Sequence, residues 1–284
     1  MIYNLRNYQK QASDAAVRLF TGSADKNGLI ILPTGAGKSL VIADIASRID
    51  GPLLVFQPSK EILQQNFNKL QSYGILDCGC YSASVGSKDI NRITFATIGS
   101  VMNHMSDFDC FKNIIIDECH YVNSKAGQYK MFIEAKNRQV VGLTATPYRL
   151  DRGAGGSVLK FLTRTRPRIF QKVIYCCQVA ELLSKGFLAD LHYYDITTLD
   201  LKRVRSNSTG ADYDEKSLLA EYERSGFYDK LSDTVMKVMH PKSGIPRRGI
   251  LVFTAFTKEA RKLVNRLQDI GLEATIVTGE TPKA

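Results

Sequence analysis

The sequence predicts an α/β protein whose parallel sheet is covered by helices on both faces. Three observations carry this expectation. Short β-branched runs recur at wide spacing with helix-like stretches between them. A glycine-rich turn, Pro33-Thr-Gly-Ala-Gly-Lys-Ser39, follows one such run and opens a helical one. A further apolar run ends in two acids, Asp117 and Glu118. Strand–helix–strand alternation is the pattern of parallel sheets buried on both sides.

Taken in order, the strand-like runs are Leu29–Leu32, Leu53–Phe56, Ile93–Ala96, Ile114–Ile116 and Val140–Leu143. Glu61–Gln71 reads as a helix between the second and third of them. Cys177–Lys185 reads as a short helix closed by Gly186. Lys202–Asp214 is polar and reads as an exposed loop. Ile250–Thr254 and Ala274–Thr278 read as later strands, separated by a helix over Lys258–Ile270 with apolar residues at 260, 263, 264 and 267. This gives two α/β blocks, one ending near residue 165 and one starting near 189. There are no repeats, low-complexity tracts or coiled-coil heptads.

A chain of 284 residues can bury a core in one large domain or two ordinary ones. Its 44% hydrophobic and 23% charged residues are ordinary for a soluble globular protein. No apolar run approaches the ~20 residues of a membrane span, and the first residues lack the pattern of a signal peptide. The sequence therefore reads as cytoplasmic. The cysteine pairs at 78/80 and 176/177 lack the spacing of a zinc site, so the six thiols read as reduced. The formal charge is +10, and from Arg149 to Lys172 seven basic residues face one acid. A polyanionic partner, nucleic acid above all, or a merely solvated basic face would each account for it.

The chemistry is concentrated in the turn and the acid pair. Backbone N–H groups at a helix N-terminus bind phosphate oxygens, and Gly35 and Gly37 let the chain approach them closely. Lys38 can reach the β- and γ-phosphates of a nucleotide, and the Ser39 hydroxyl can ligate Mg²⁺. Leu32 occupies the first glycine position of the full phosphate-loop pattern, so the turn alone is a partial match. Asp117, at a strand's carboxyl end, suits Mg²⁺ held directly or through water. Glu118 is then placed to position and deprotonate an attacking water.

At this point the sequence resembles the superfamily 2 helicases, relatives of the DEAD- and DEAH-box proteins. Asp117-Glu118-Cys119-His120 is similar to their D-E-x-H box, and Pro33–Ser39 to their shorter phosphate loop. The resemblance implies RecA-like lobes, ATP and Mg²⁺ as cofactors, and a nucleic-acid partner. Pro33, Thr34, Gly35, Ala36, Gly37, Lys38 and Ser39 would then bind ATP, with Ser39 and Asp117 on the metal and Lys38, Asp117 and Glu118 catalytic. Leu5-Arg6-Asn7-Tyr8-Gln9 resembles the motif whose glutamine reads adenine, which adds Gln9 and, through packing on the base, Arg6. Motifs resembling nucleic-acid contacts place Pro58, Ser59 and Lys60, then Thr97, Gly99 and Ser100, on a strand. Thr144, Ala145 and Thr146, before Pro147, resemble the element coupling ATP state to strand binding, together with His120. The continuation Tyr148–Arg152 resembles DNA-directed members, repair and restriction-motor types, and adds Arg149 as a nucleic-acid contact and DNA over RNA. Ile250–Phe253 with Thr257, and Val277-Thr278-Gly279, resemble the opening of a second lobe.

The domains expected are therefore 1–175, a first RecA-like lobe; 176–188, a connecting helix; and 189–284, the beginning of a second RecA-like lobe. The motif supplying an arginine finger has no match, so we expect a fragment of a longer motor, with room for an effector domain or subunit beyond residue 284. Three functions stay open at this stage: an ATP-driven helicase or translocase, an ATP-gated nucleic-acid clamp or sensor, and a generic phosphate-loop NTPase.

Overall fold

A computed structural model describes residues 4–22, 26–136, 138–153, 156–190, 199–207, 213–241, 244 and 246–281. The chain separates into two compact units. The larger takes Met1–Gly153 and Ser157–Asp190; the smaller takes Ala154–Gly156 and Leu191–Ala284.

In chain order the larger unit runs α1 (Asn7–Thr21), β1 (Gly28–Ile31), α2 (Lys38–Arg48), β2 (Leu53–Phe56), α3 (Lys60–Ser72), β3 (Cys78–Ser82) and β4 (Ser87–Lys88). It continues with β5 (Ile93–Ala96), α4 (Ile98–Met102), β6 (Asn113–Asp117), α5 (Gln128–Glu134), β7 (Gln139–Thr144), β8 (Tyr148–Gly153), β9 (Gly156–Phe161), β10 (Lys172–Cys176) and α6 (Val179–Ser184). Eight of these strands form one sheet in the order β10-β1-β7-β6-β2-β5-β3-β4, and β8 and β9 pair separately. The pairings are parallel except for the β3–β4 edge. This is the α/β fold with a parallel sheet that the motifs imply for a RecA-like lobe.

The two-residue alternation of each strand divides the core. Ile30, Val55, Phe95, Ile115 and Val141 pack with α1, α2 and α3 on one face. Leu29, Leu54, Phe56, Ile114 and Val140 pack with Phe108, Phe111 and Phe132 on the other. Because both faces are covered, the central strands are apolar throughout, which is why they were readable. The carboxyl ends of β1, β6, β7, β2 and β5 lie side by side along one edge. That edge carries the phosphate turn, the acid pair, Thr144–Pro147, Gln57–Lys60 and Thr97–Ser100, in keeping with the rule that open α/β sheets present their ligand crevice there.

The smaller unit contains α7 (Glu215–Arg224), α8 (Phe227–Met239) and α9 (Thr257–Asp269). Leu218, Tyr222 and Tyr228 form one small core and Val235, Leu263 and Leu267 another. Helix α9 matches the expected Lys258–Ile270. The flanking runs Ile250–Thr254 and Ala274–Thr278, expected as strands, are not hydrogen-bonded into a sheet; Leu251, Phe253 and Val277 are 75%, 88% and 76% exposed. A parallel strand exists only through its lateral partners, and none of the described residues supplies one. Residues 191–198, where the second block was expected to begin, lie outside the described residues, as do 208–212 within the expected loop. The described part of that loop holds a 3₁₀ turn at Leu201–Arg203 and a Ser206–Tyr213 bridge. Among the described residues no helix is long and apolar enough to cross a membrane.

Candidate active site

The phosphate turn links β1 to α2. Gly35 and Gly37 have φ of +81° and +79°, and Gly37 caps α2 from the left-handed region. A side chain at Gly37 would be strained there, and its Cβ would lie 2.6 Å from Gln9 Nε2. The turn is braced from below by α1. Tyr8 donates its hydroxyl to the Ala36 carbonyl at 3.0 Å, and Gln9 Nε2 donates to the same oxygen at 2.9 Å. Gln9 Oε1 accepts the Arg6 backbone N–H at 2.9 Å, so both ends of the Gln9 amide are engaged within the protein. The Arg6 guanidinium stacks 4.0 Å from the centroid of Phe187, an aromatic partner that no sequence motif indicated.

The acids stand at the end of β6. Asp117 is 5% exposed; its Oδ1 accepts the Glu118 N–H at 3.0 Å and its Oδ2 faces Asn66 Nδ2 at 3.4 Å. Burial, reinforced by the neighbouring Glu118 charge and opposed by Lys38, pushes the Asp117 carboxyl up to about 6. Glu118 has φ +48°, the one non-glycine residue with positive φ among the described residues. That conformation costs a glutamate of order 1 kcal/mol, and it directs the carboxylate back over the phosphate turn. Glu118 Oε1 pairs with Lys38 Nζ at 3.2 Å, and Oε2 lies 3.3 Å from His120 Nδ1. The same His120 nitrogen lies 3.0 Å from Thr144 Oγ1 and 3.3 Å from Thr146 Oγ1. Thr144 Oγ1 in turn accepts the Thr146 N–H at 3.1 Å, and the Thr144 carbonyl accepts the Leu32 N–H at 3.0 Å. The expected coupling residues His120, Thr144 and Thr146 are thus in contact with one another and, through Glu118, with the phosphate-loop lysine. Pro33, Thr34 and Ala145 sit in their expected turns.

Asn66, on α3, is the residue that sequence reasoning missed. Ser39 Oγ donates to Asn66 Oδ1 at 2.7 Å, and Asn66 Nδ2 donates to Gln57 Oε1 at 3.1 Å while facing Asp117. One buried amide therefore joins the phosphate-loop serine, the acidic strand and the strand end that precedes Pro58. Its signal was available: Asn66 interrupts the apolar stripe of Leu63, Phe67 and Leu70, and a polar residue on a buried face calls for partners.

The donor set fits a nucleotide-bound Mg²⁺. Ser39 and Asp117, held to one amide, offer one hydroxyl and one carboxylate, and no cluster of three or more His, Cys, Asp or Glu among the described residues would hold a metal unaided. A hard cation that keeps several waters and binds phosphate oxygens needs no more from the protein.

Beside the acids lies a pocket of about 820 Å³. Pro58, Ser59 and Lys60 line it from one side, Thr97, Gly99 and Ser100 from another, and Glu118, His120 and Tyr121 form its inner wall. Ser59 caps α3, accepting the Ile62 N–H at 3.4 Å. Thr97, Ser82 and Ser100 form a chain of hydroxyls, and Ser100 Oγ accepts the Ala83 N–H at 2.9 Å. The structure thus brings six of the seven residues expected to contact nucleic acid onto one cavity with the box carboxylate. Arg149 does not line it; its guanidinium donates to the Tyr121 carbonyl at 2.9 Å from a neighbouring pocket. The side chains of Leu150, Asp151 and Arg152 lie outside the described residues.

Comparison with known proteins identifies the family of the larger unit's sequence. A model of the family described as "Type III restriction enzyme, res subunit" matches residues 2–149. The "DNA 3'-5' translocase XPB2" of Sulfurisphaera tokodaii is 30% identical over 52% of this chain and 32% of its own length. The "DNA 3'-5' helicase XPB" of Kineococcus radiotolerans is 27% identical over 98% of this chain and 46% of its own. A putative ATP-dependent RNA helicase of African swine fever virus is 25% identical over 65% of this chain and 37% of its own. The chain spans less than half the length of each of these relatives. The family match covers just over half of the chain, including the phosphate turn and the acid pair, and it shows that the chain belongs to the Type III restriction enzyme res-subunit family of superfamily 2.

Proposed function

We propose that this chain is the ATP-hydrolysing part of a DNA translocase or helicase. The observation that carries the reading is the continuous path from Lys38 through Glu118 to His120 and Thr144, of which Glu118 and His120 line a cavity shared with Pro58–Lys60 and Thr97–Ser100. In this reading Lys38 leaves Glu118 for the β- and γ-phosphates, and the amides of Gly35–Ser39 cradle them. Bound Mg²⁺, held by Ser39 and Asp117, would neutralise charge on the phosphate oxygens. Released from Lys38, Glu118 orients the attacking water and accepts its proton, with His120 fixing the carboxylate from the other side. Arg6 and Gln9 border the adenine. DNA is favoured over RNA by the Tyr148–Arg152 segment and by the names of the XPB relatives. Residues 189–284 would begin the second RecA-like lobe.

Glu118→Gln tests the assignment. Turnover is expected to fall to background while ATP stays bound, since the amide keeps the shape but accepts no proton. ATPase within a factor of about two of the parent would remove Glu118 from the role. ATPase stimulated by RNA and not by DNA would overturn the choice of nucleic acid.

A further inference from the structure

The large cavity beside the acid pair carries little of the charge that a polyanion's backbone would demand. One ammonium, Lys60, and one carboxylate, Glu118, line it, so their formal charges cancel. Pro58, Ile62, Ala83 and Ile98 give it apolar walls, and two phenol rings, Tyr121 and Tyr129, complete them. Tyr129 is held edge-on against Phe56, with ring centroids 5.5 Å apart. Tyr121 is 62% exposed, and its ring centroid lies 4.2 Å from that of His120. An exposed ring in a cavity wall offers a face on which a planar ligand can stack. Gln57 is a second, independent pointer. It lines the same cavity at 1% exposure, and its Oε1 accepts from Asn66 Nδ2 at 3.1 Å. Among the described residues its buried Nε2 has no hydrogen-bond partner. A buried N–H donor is costly to leave unpaired, and a ligand acceptor would satisfy it.

We infer that this cavity holds one unpaired base of a DNA strand, stacked on Tyr121, with Gln57 donating to an acceptor on the base edge. The inference rests on the DNA-motor reading above and names the part of the DNA that the cavity takes. Phosphate is the poorer occupant, because phosphates are held chiefly by surplus cations and here Glu118 offsets Lys60. A base is uncharged, has a π-face whatever its identity, and carries oxygen or ring-nitrogen acceptors on its edge. A base inside a duplex offers no free face, so the strand is single or locally opened where it enters. Tyr121 follows His120, whose Nδ1 lies against Glu118, Thr144 and Thr146, so the stacked base sits next to the residues expected to couple strand binding to ATP.

The test is binding of a labelled single-stranded oligodeoxynucleotide to the full chain, followed by anisotropy. It is compared with an abasic strand of the same length, which keeps every phosphate. The parent is expected to prefer the strand with bases by about tenfold or more. Tyr121→Ala should lose about tenfold in affinity for that strand and nothing for the abasic one. Its slope of log K against log salt should stay unchanged, because no phosphate contact is lost. Tyr121→Phe keeps the ring and should keep the affinity. Equal affinity of the parent for both strands, equal losses on both in Tyr121→Ala, or a reduced salt slope in that variant overturns the inference; DNA-stimulated ATPase in the parent would then leave the motor reading intact. Failure of the parent to bind either strand at any salt overturns both. Titration with thymidine separates the other source: binding lost in Tyr121→Ala while its strand affinity stays unchanged would make this a free-nucleoside site and refute the strand assignment.

Discussion

Replacing Asp117 by Asn is expected to stabilise the nucleotide-free protein at the expense of its chemistry. The carboxyl is raised from 3.8 to about 6 because it is buried beside Glu118. The sign follows from proton uptake. Below pH about 4 both folded and unfolded states hold the proton. Between about 4 and 6 only the folded state does, so stability falls as pH rises, and above about 6 the loss is complete. A shift of about two pH units corresponds to about 3 kcal/mol. Asparagine removes this penalty and keeps the contact with the Glu118 N–H. It also sets an amide NH₂ against Asn66 Nδ2, 3.4 Å from the present oxygen, at a loss of about 1 kcal/mol. The net gain at pH 8 is about 2 kcal/mol, or roughly 4–8 °C in Tm. The assay is thermal melting followed by circular dichroism from pH 4.5 to 8 without nucleotide or divalent cation. The gain should shrink steadily below pH 6. A variant that melts lower than the parent at pH 8 would show that the carboxylate is not under strain, and the reasoning would fail.

Other substitutions probe separate parts of the site. Asn66→Ala should weaken binding of ADP in the presence of Mg²⁺ much more than binding in its absence, because Ser39 and Asp117 lose their common partner; equal weakening under both conditions would make Asn66 a packing residue only. Gly142→Ala should destabilise by about 1–3 kcal/mol, since its Cβ would sit 2.7 Å from Cys119 Sγ and from Phe170, directly behind the acid box; an unchanged denaturation midpoint would contradict that packing. Gly37→Ala should abolish nucleotide binding while leaving the fold intact, and retention of binding would show that the left-handed turn is dispensable.

Much of the larger unit was legible because its chemistry is local. Strands β1, β2, β5, β6 and β7 are β-branched runs in the middle of a doubly covered sheet, and the phosphate turn and acid box are contiguous motifs. Strand β3 was not legible, since Cys-Gly-Cys-Tyr-Ser has no apolar periodicity and is held by β5 on one side and a short antiparallel strand on the other. The β8–β9 pair escaped for a similar reason: its sequence is basic and glycine-rich and has no long apolar run. The smaller unit erred in the other direction. Ile250–Thr254 has strand composition, yet composition cannot provide the neighbour that a ladder requires. In the site, Lys38, Asp117 and Glu118 were legible because each lies in a short contiguous motif, and the fold brings Lys38 and Glu118 into contact. Asn66 was not, because its partners are 27, 9 and 51 residues away, a convergence that only the fold creates. Phe187 beneath Arg6 is hidden in the same way.

The account stands most directly on whether the glycine turn and the acid pair serve one ligand. Calorimetric titration with a non-hydrolysable ATP analogue and Mg²⁺ decides this for the parent, Lys38→Ala and Asp117→Asn chains. The expected result is one Mg²⁺-dependent site in the parent, weakened at least about tenfold, or about 1.4 kcal/mol, in each variant. Equal affinity in all three would mean that Lys38 and Asp117 do not meet around a shared triphosphate.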